Sequence, residues 1–259
     1  MAHDSLSPRL LRAALVTGGG RRIGRAVALD LAAQGFAVAI HYHHSADEAG
    51  AVAAEIAALG GRAVILAADL GREDQVESLI GQAQSALGPL GLLVNNASVF
   101  ERDDALGANR ASWDLHMEVN LRAPFVLTQA FARQLPDTAE GVVVNLLDQR
   151  VWSLTPHFTS YTLSKAALWA ATQTLALALA PRIRVVGIGP GPALPSARQS
   201  EAQFAAQVAD LPLARGTSPD EVCRTLRFLL ATPSITGQMI ALDGGQHLGW
   251  ATGGDAPEE

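Results

Sequence analysis

The chain reads as an α/β protein: a single domain built on a doubly wound, seven-stranded parallel sheet with helices on both faces. Three observations predict it. Short, nearly continuous apolar runs alternate with longer runs of helical spacing from end to end, as expected where helices cover both sides of parallel strands. The first apolar run enters a glycine cluster, and a helical run follows at once. No internal repeat or low-complexity linker divides the 259 residues, a length that suits one large domain and can bury a sizeable core.

In chain order, residues 13–16 are a short apolar strand ending at the glycines, and residues 23–34 follow with helical spacing. Residues 36–42 are strand-like, 46–59 helical and 62–68 strand-like. A helix over 73–87, a strand over 90–95, a long helix over 111–135 and a strand over 142–147 continue the alternation. Residues 159–180 form a second long helix; Gln173 interrupts its apolar half, which reads as buried rather than membrane-spanning. A strand over 183–188, a helix over 219–231 and a strand over 239–242 complete the series. Residues 190–218 are irregular, rich in Pro, Gly, Ser and Ala, with a short helix at 200–209; loops this long in compact domains are usually lids or binding loops. Ligand-carrying connections belong at the carboxyl ends of the strands.

The totals narrow the class. A formal net charge of −6 makes no electrostatic case for nucleic acid or an anionic membrane surface, so any basic phosphate site is local. Cys223 is the single cysteine, which excludes an intramolecular disulfide and a multi-cysteine metal site and points to a reducing cytoplasm. His116 and His157 lack metal-ligand spacing, so no metal is expected. Residues 1–12 lack the apolar core of a signal peptide; they and residues 250–259 read as tails around a domain of 13–249.

Thr17-Gly18-Gly19-Gly20-Arg21-Arg22-Ile23-Gly24 is a strand end, a glycine turn and a helix start. Glycines let backbone approach a pyrophosphate, and the helix N-terminus offers free N–H donors and partial positive charge. In the first βα unit this is the signal of a Rossmann-type dinucleotide site. A site for NAD places Asp or Glu about 20 residues after the glycines, on the ribose 2′-hydroxyl. Here the second strand ends in His41-Tyr42-His43-His44-Ser45, with no acid before Asp47. Imidazole and hydroxyl donors there, with Arg21 in the glycine turn, favour a 2′-phosphate and therefore NADPH.

Tyr161 and Lys165 stand at i,i+4 near the start of the second long helix, one turn apart on one face. A nearby cation favours phenolate, as a general acid–base at neutral pH requires.

With that pair in place the chain resembles the short-chain dehydrogenase/reductase family over essentially all of residues 13–249. The matching residues are Thr17-Gly18, Gly24, Asp69-Leu70, Asn95-Asn96-Ala97, Asn120, Tyr161, Lys165, Pro190-Gly191 and Asp243-Gly244-Gly245. The resemblance implies that Asp69 and Leu70 meet the adenine, that Asn95 steadies the central strand, and that Lys165 also holds the nicotinamide ribose. It implies that Thr17, Gly18, Ile23, Ala97, Pro190 and Gly191 lie along the cofactor, and that Asn120 anchors a water leading protons to Lys165. It also implies a homotetramer, with helices 111–135 and 159–180 as the main interface.

Three departures from the common family pattern agree with one another. Arg22 replaces the middle glycine of the cradle, Ser98 the glycine of Asn-Asn-Ala-Gly, and Asp148 the serine thirteen residues before the tyrosine. With the histidine-rich strand end they resemble the pteridine reductase branch, which usually carries arginine where this chain has His44. Reduction of a pterin C=N bond needs hydride at carbon and a proton at nitrogen. Phe100 is expected to stack on the pterin, Arg22 and Ser98 to grip both ligands, and Asp148 to relay a proton to Tyr161. Plainer roles stand beside these: Phe100 as a core aromatic, Arg22 neutralising phosphate, Asp148 capping the next segment or pairing with Arg150. Trp152, Leu154, Pro156 and His157 are expected to wall the substrate site.

The expectation is thus an NADPH-dependent reductase of a pterin, dihydropterin or dihydrofolate-like substrate. The alternatives are a carbonyl or ketoacyl reductase of the same family and a dinucleotide-binding protein without turnover.

Overall fold

A computed structural model describes residues 6–195 and 198–249. The expected tail beyond residue 249 lies outside them. So does the start of the expected N-terminal tail, but Leu10 is buried and bridges Glu140. The sheet is seven-stranded in the order β3-β2-β1-β4-β5-β6-β7, every pair parallel. Its strands are β1 Ala13–Val16, β2 Ala37–Tyr42, β3 Ala63–Ala67, β4 Leu92–Asn95, β5 Gly141–Leu146, β6 Ile183–Pro190 and β7 Met239–Leu242. The helices are α1 Arg22–Ala33, α2 Ala46–Ala58, α3 Glu73–Leu87, α4 Arg110–Met117, α5 Ala123–Gln134, α6 Thr159–Leu179, α7 Glu201–Ala209 and α8 Pro219–Ala231.

Successive strand side chains point to opposite faces, and the core divides accordingly. Val16, Ile40, Val94 and Val144 pack with α1, α2 and α8, whereas Leu15, Ala39, Leu93 and Val143 pack with α3, α5 and α6. Strand order reverses between β1 and β4, which opens a crevice at their carboxyl ends, where ligands of such sheets bind. The edge strand β3 is less covered than the continuous apolar runs imply, and Ile65 is exposed.

The helix expected over 111–135 is not continuous. A π-helical turn, Glu118–Arg122, separates α4 from α5. The cause is Pro124 in the first turn of α5: it has no N–H for the preceding turn and crowds the carbonyl four residues back, and a widened turn relieves both. That turn carries Asn120. Strand β6 also runs on to Pro190, so the irregular stretch begins at Gly191; its short helix, α7, is capped by the Ser200 hydroxyl.

Candidate active site

The cradle is built from its glycines outward. Gly18 has φ +61°, and a Cβ there would stand 3.2 Å from the Ala97 Cα. A Cβ on Gly24 would lie 2.1 Å from the Gly18 oxygen, so α1 seats against the turn only because that residue is glycine. The buried Thr17 hydroxyl accepts the N–H of Asn96 at 2.9 Å and of Ala97 at 3.0 Å, which ties the loop after β4 to the cradle.

His41 is a brace. Its Nδ1 accepts the Gly18 N–H at 3.1 Å while its Nε2 lies 3.0 Å from the Ala68 oxygen, so the neutral Nε2–H tautomer satisfies both. Burial pushes its pKa down to about 4.

Two cavities meet across this loop. The larger, about 510 Å³, is lined by Gly18, Arg21, Arg22, Ile23, His43, His44, Ser45, Asp69, Leu70, Ala97 and Ser98, all expected cofactor residues. His43 and His44 lie ring to ring at 3.5 Å, and Arg21 lies 3.6 Å from Glu48. Ser45 begins α2 without making a side-chain cap, so its hydroxyl is not committed there. The smaller cavity, about 310 Å³, is lined by Arg22, Ile23, Ser98, Phe100, Asp148, Tyr161, Lys165, Pro190 and Gly191. Arg22, Ile23, Asn96 and Ser98 line both.

Thr17, expected along the cofactor, lines neither cavity, and neither does Asn95, expected to steady the central strand and to contact the cofactor on the family pattern. Asn95 is buried and donates to Asn145 Oδ1 at 2.8 Å, a bond between β4 and β5. Its neighbour Asn96 reaches the ligand space instead, donating to the Thr17 oxygen at 2.8 Å; the alternation of side chains along the strand end was the available signal.

Tyr161, Lys165 and Asp148 converge at the smaller cavity. The Tyr161 hydroxyl donates to Asp148 Oδ2 at 2.7 Å, and Asp148 Oδ1 accepts the Arg150 N–H at 2.8 Å. Asp148 therefore both meets the phenol and caps the turn Gln149–Val151. Lys165 is buried, donates to the Leu146 oxygen at 2.7 Å and stands 5.9 Å from the Tyr161 ring centre. Burial pushes its pKa down to about 8, against the opposing pull of Asp148.

The Asn120 side chain is fully engaged within the fold. Its Nδ2 donates to the Val99 oxygen at 3.0 Å and Ser164 Oγ at 3.2 Å, and its Oδ1 accepts from the Val99 N–H at 2.9 Å and Ser98 Oγ at 3.1 Å. The amide clamps the Ser98–Val99 backbone to α6. A second buried chain seats the start of that helix: His116 Nδ1 lies 2.7 Å from Ser160 Oγ, and Ser160 donates to Asp103.

Phe100 lines the smaller cavity but stacks on Phe158, ring centres 4.2 Å apart and nearly parallel, with Tyr161 edge-on at 4.6 Å. Phe158 holds a left-handed φ of 57° just before α6; no helix-start or turn signal marked it. Arg22 also has a positive φ, 51°, at the position where the family pattern has glycine. Its guanidinium donates to the oxygens of Leu194, at 3.2 Å, and Pro195, at 2.9 Å, binding the glycine turn to the loop after β6.

That loop walls the smaller cavity through Pro192, Ala193 and Leu194, with Phe204 and Gln207 of α7. The expected wall of Trp152, Leu154, Pro156 and His157 lines neither cavity. Trp152 instead packs near Trp169 and His247, because the turn after Asp148 faces it away. Gln149 and Gln246, unremarked in the sequence, also line the smaller cavity.

A parallel sheet with a glycine cradle at its switch point and a tyrosine–lysine pair in the adjoining cavity defines a dinucleotide-dependent oxidoreductase. The chain belongs to the short chain dehydrogenase family, whose sequence pattern matches residues 12–205. Two solved structures are similar over nearly the whole chain. FolM alternative dihydrofolate reductase 1 from Brucella canis, complexed with NADP, has a TM-score of 0.92 and 51% identity, covering 96% of this chain and 100% of that one. The Brucella suis protein of the same name, also with NADP, has a TM-score of 0.91 and 52% identity over 95% and 98% of the two chains. A 3-oxoacyl-(acyl-carrier-protein) reductase from Synechocystis is 35% identical over 237 residues, covering 90% of this chain and 95% of its own. Among the described residues, no helix is long and apolar enough to cross a membrane.

Proposed function

We infer that this oxidoreductase is an NADPH-dependent reductase of a pterin, dihydropterin or dihydrofolate-like substrate. The observation that carries the reading is the Tyr161–Asp148 hydrogen bond, 2.7 Å long, in a cavity bordered by Phe100. A ring nitrogen accepting a proton needs a donor that is replenished, and a carboxyl bonded to the phenol supplies it. The cradle fits a dinucleotide: a Cβ on Gly24 has no room and one on Gly18, Gly19 or Gly20 would be crowded, and His43, His44, Ser45 and Arg21 gather where a 2′-phosphate would lie. Bound NADPH supplies the hydride.

The chain's own groups do the rest. Tyr161 gives its proton to the substrate nitrogen, Asp148 takes up a proton from solvent and passes it to the phenolate left behind, and the Lys165 ammonium stabilises charge building on the phenol oxygen. Arg22 and Ser98 lie where the cavities join and touch both ligands, while Phe100 borders the planar substrate. The NADP-bound FolM structures, at 51% and 52% identity, support the same reading. It also takes the chain as a cytoplasmic homotetramer, for which exposed Trp113 and Leu115 on α4 and Leu163 and Leu177 on α6 offer apolar contacts.

The second reading is a 3-oxoacyl or other carbonyl reductase, favoured by the Synechocystis relative. Tyr161 and Lys165 serve a carbonyl equally well, but that chemistry gives Asp148 no proton to carry and leaves it only its cap on the Gln149–Val151 turn. Loss of NADPH absorbance with dihydrobiopterin, dihydromonapterin, dihydrofolate, a 3-oxoacyl thioester and simple ketones separates them. Turnover is expected with a dihydropterin or dihydrofolate; activity confined to the carbonyl compounds overturns the pterin reading.

A further inference from the structure

Helix α6 carries Tyr161 in its first turn, yet the residue at its own N-cap, Phe158, offers no side-chain cap. The first N–H groups of a helix need partners from outside it. Here Asp103 supplies them from the loop after β4. Its backbone oxygen accepts the Phe158 N–H at 2.8 Å, and its Oδ1 accepts the Ser160 N–H at 3.1 Å. Asp103 Oδ2 accepts the hydroxyl of Ser160 and, at 3.1 Å, that of Ser112. A carboxylate at a helix N-terminus also meets the favourable end of the helix dipole.

Ser160 extends the network toward Phe100. Its Oγ lies 2.7 Å from His116 Nδ1, while His116 Nε2 accepts the Glu101 N–H at 3.1 Å. With Nε2 accepting, the neutral ring carries its proton on Nδ1 and donates it to Ser160. Asp103, Ser160 and His116 are all buried, where water competes little for such bonds. The bonds therefore tie Glu101, directly after Phe100, to Ser160, directly before Tyr161. Those two aromatic rings meet edge-on, centres 4.6 Å apart. Asp148 holds the phenol oxygen, and this network holds the backbone at the start of the same turn.

We propose that Ser160 and Asp103 are positioning residues for Tyr161: by capping α6 from a distant loop, they hold the phenol at the distance and angle that proton transfer needs. This rests on Tyr161 as the proton donor, which the pterin and carbonyl readings share. Neither residue lines the smaller cavity, so both act through the tyrosine. A displacement of about 1 Å in a reacting group can cost about 100-fold in rate. Removing the Ser160 hydroxyl unpairs His116 Nδ1 and takes one donor from Asp103, which frees the turn to shift.

The test measures NADPH oxidation by Ser160→Ala, Asp103→Asn and Asp103→Ala. The substrate is whichever of dihydrobiopterin, dihydrofolate and a 3-oxoacyl thioester the native enzyme reduces fastest. Rates are taken per NADPH-binding site, titrated by nicotinamide fluorescence, so that unfolded enzyme does not count. Ser160→Ala and Asp103→Ala should each lower kcat about 10- to 100-fold, with KM changed by less than about threefold. Asp103→Asn, which keeps an acceptor for the Ser160 N–H, should retain more kcat than Asp103→Ala. In single turnovers with enzyme in excess, adding Ser160→Ala to Tyr161→Phe should cost less than about threefold more, because the group to be positioned is already gone. Native kcat in both alanine variants overturns the assignment, as does a further loss of about tenfold in the Tyr161→Phe background. A native enzyme that reduces only the thioester overturns the pterin reading, and the same variants then decide this assignment on the thioester. Native turnover in Tyr161→Phe overturns the assigned acid and this assignment with it.

Discussion

The Tyr161 hydroxyl and Asp148 Oδ2, 2.7 Å apart, join the first turn of α6 to the carboxyl end of β5. The link makes one proton carrier of two groups thirteen residues apart. Tyr161→Phe removes the donor and leaves the cradle untouched, so turnover should fall at least 100-fold while NADPH affinity stays within about twofold. Asp148→Asn keeps a hydrogen bond to the phenol but cannot replace its proton; kcat for a dihydropterin should drop about 10- to 100-fold. Steady-state kinetics with nicotinamide fluorescence checks both, and native turnover in Tyr161→Phe would remove the assigned acid.

Lys165 sets the alkaline limb. Its pKa is lowered from 10.5 to about 8 by burial, so the ammonium that supports the phenol is lost as pH rises through about 8. The kcat/KM for reduction should then fall about tenfold per pH unit on that limb. Lys165→Arg, whose guanidinium stays charged, should retain less activity at pH 7 but flatten the limb. A native profile that stays level well above pH 8 would contradict the assignment.

His41 ties cradle stability to pH. Its folded pKa of about 4 lies below the ordinary 6.5, so below pH 6.5 the unfolded chain takes up a proton that the folded one refuses. Stability is therefore complete above pH 6.5 and drains away as pH falls toward 4. Between pH 6.5 and about 5 this one group accounts for about 2 kcal/mol. Urea unfolding of the native chain and His41→Gln at both pH values should give losses of unfolding free energy between them that differ by about that amount.

Arg22 trades backbone comfort for a contact. Its φ of 51° costs about 1 kcal/mol in a residue with a Cβ, whereas its guanidinium holds the oxygens of Leu194 and Pro195. Arg22→Gly should leave the thermal midpoint level or higher. It should also raise KM about tenfold and expose the loop after β6 to faster proteolysis. A lower midpoint with unchanged KM would mean that the clasp is purely structural.

Asn120→Ala should cost about 2 to 4 kcal/mol, because it strips partners from Val99, Ser98 and Ser164 in a buried setting. Denaturant midpoints measure the loss. A cost near zero would show that the clamp has no mechanical role.

The architecture was legible because burial writes itself into sequence locally. A strand covered on both faces must be apolar along nearly all its length, as β1 is, and as β4 and β5 are apart from the paired Asn95 and Asn145, and a helix lying on a sheet must repeat its apolar residues with its own period. The glycine cradle and the Tyr161–Lys165 pair were legible for a similar reason: each is a local spacing with a local chemical purpose. Contacts between segments distant in the chain were not. Whether Asn95 or Asn96 met the ligand space, that His41 would brace Gly18, and that Arg22 would reach Leu194 all depend on how separate strand ends converge. The sequence by itself determined the sheet, its helices and the residue types of the site. Only the tertiary structure decided which polar atoms find partners among the described residues and which, like the Gln149 and Gln246 side-chain oxygens, are left without one there, because hydrogen bonding is settled across space and not along the chain.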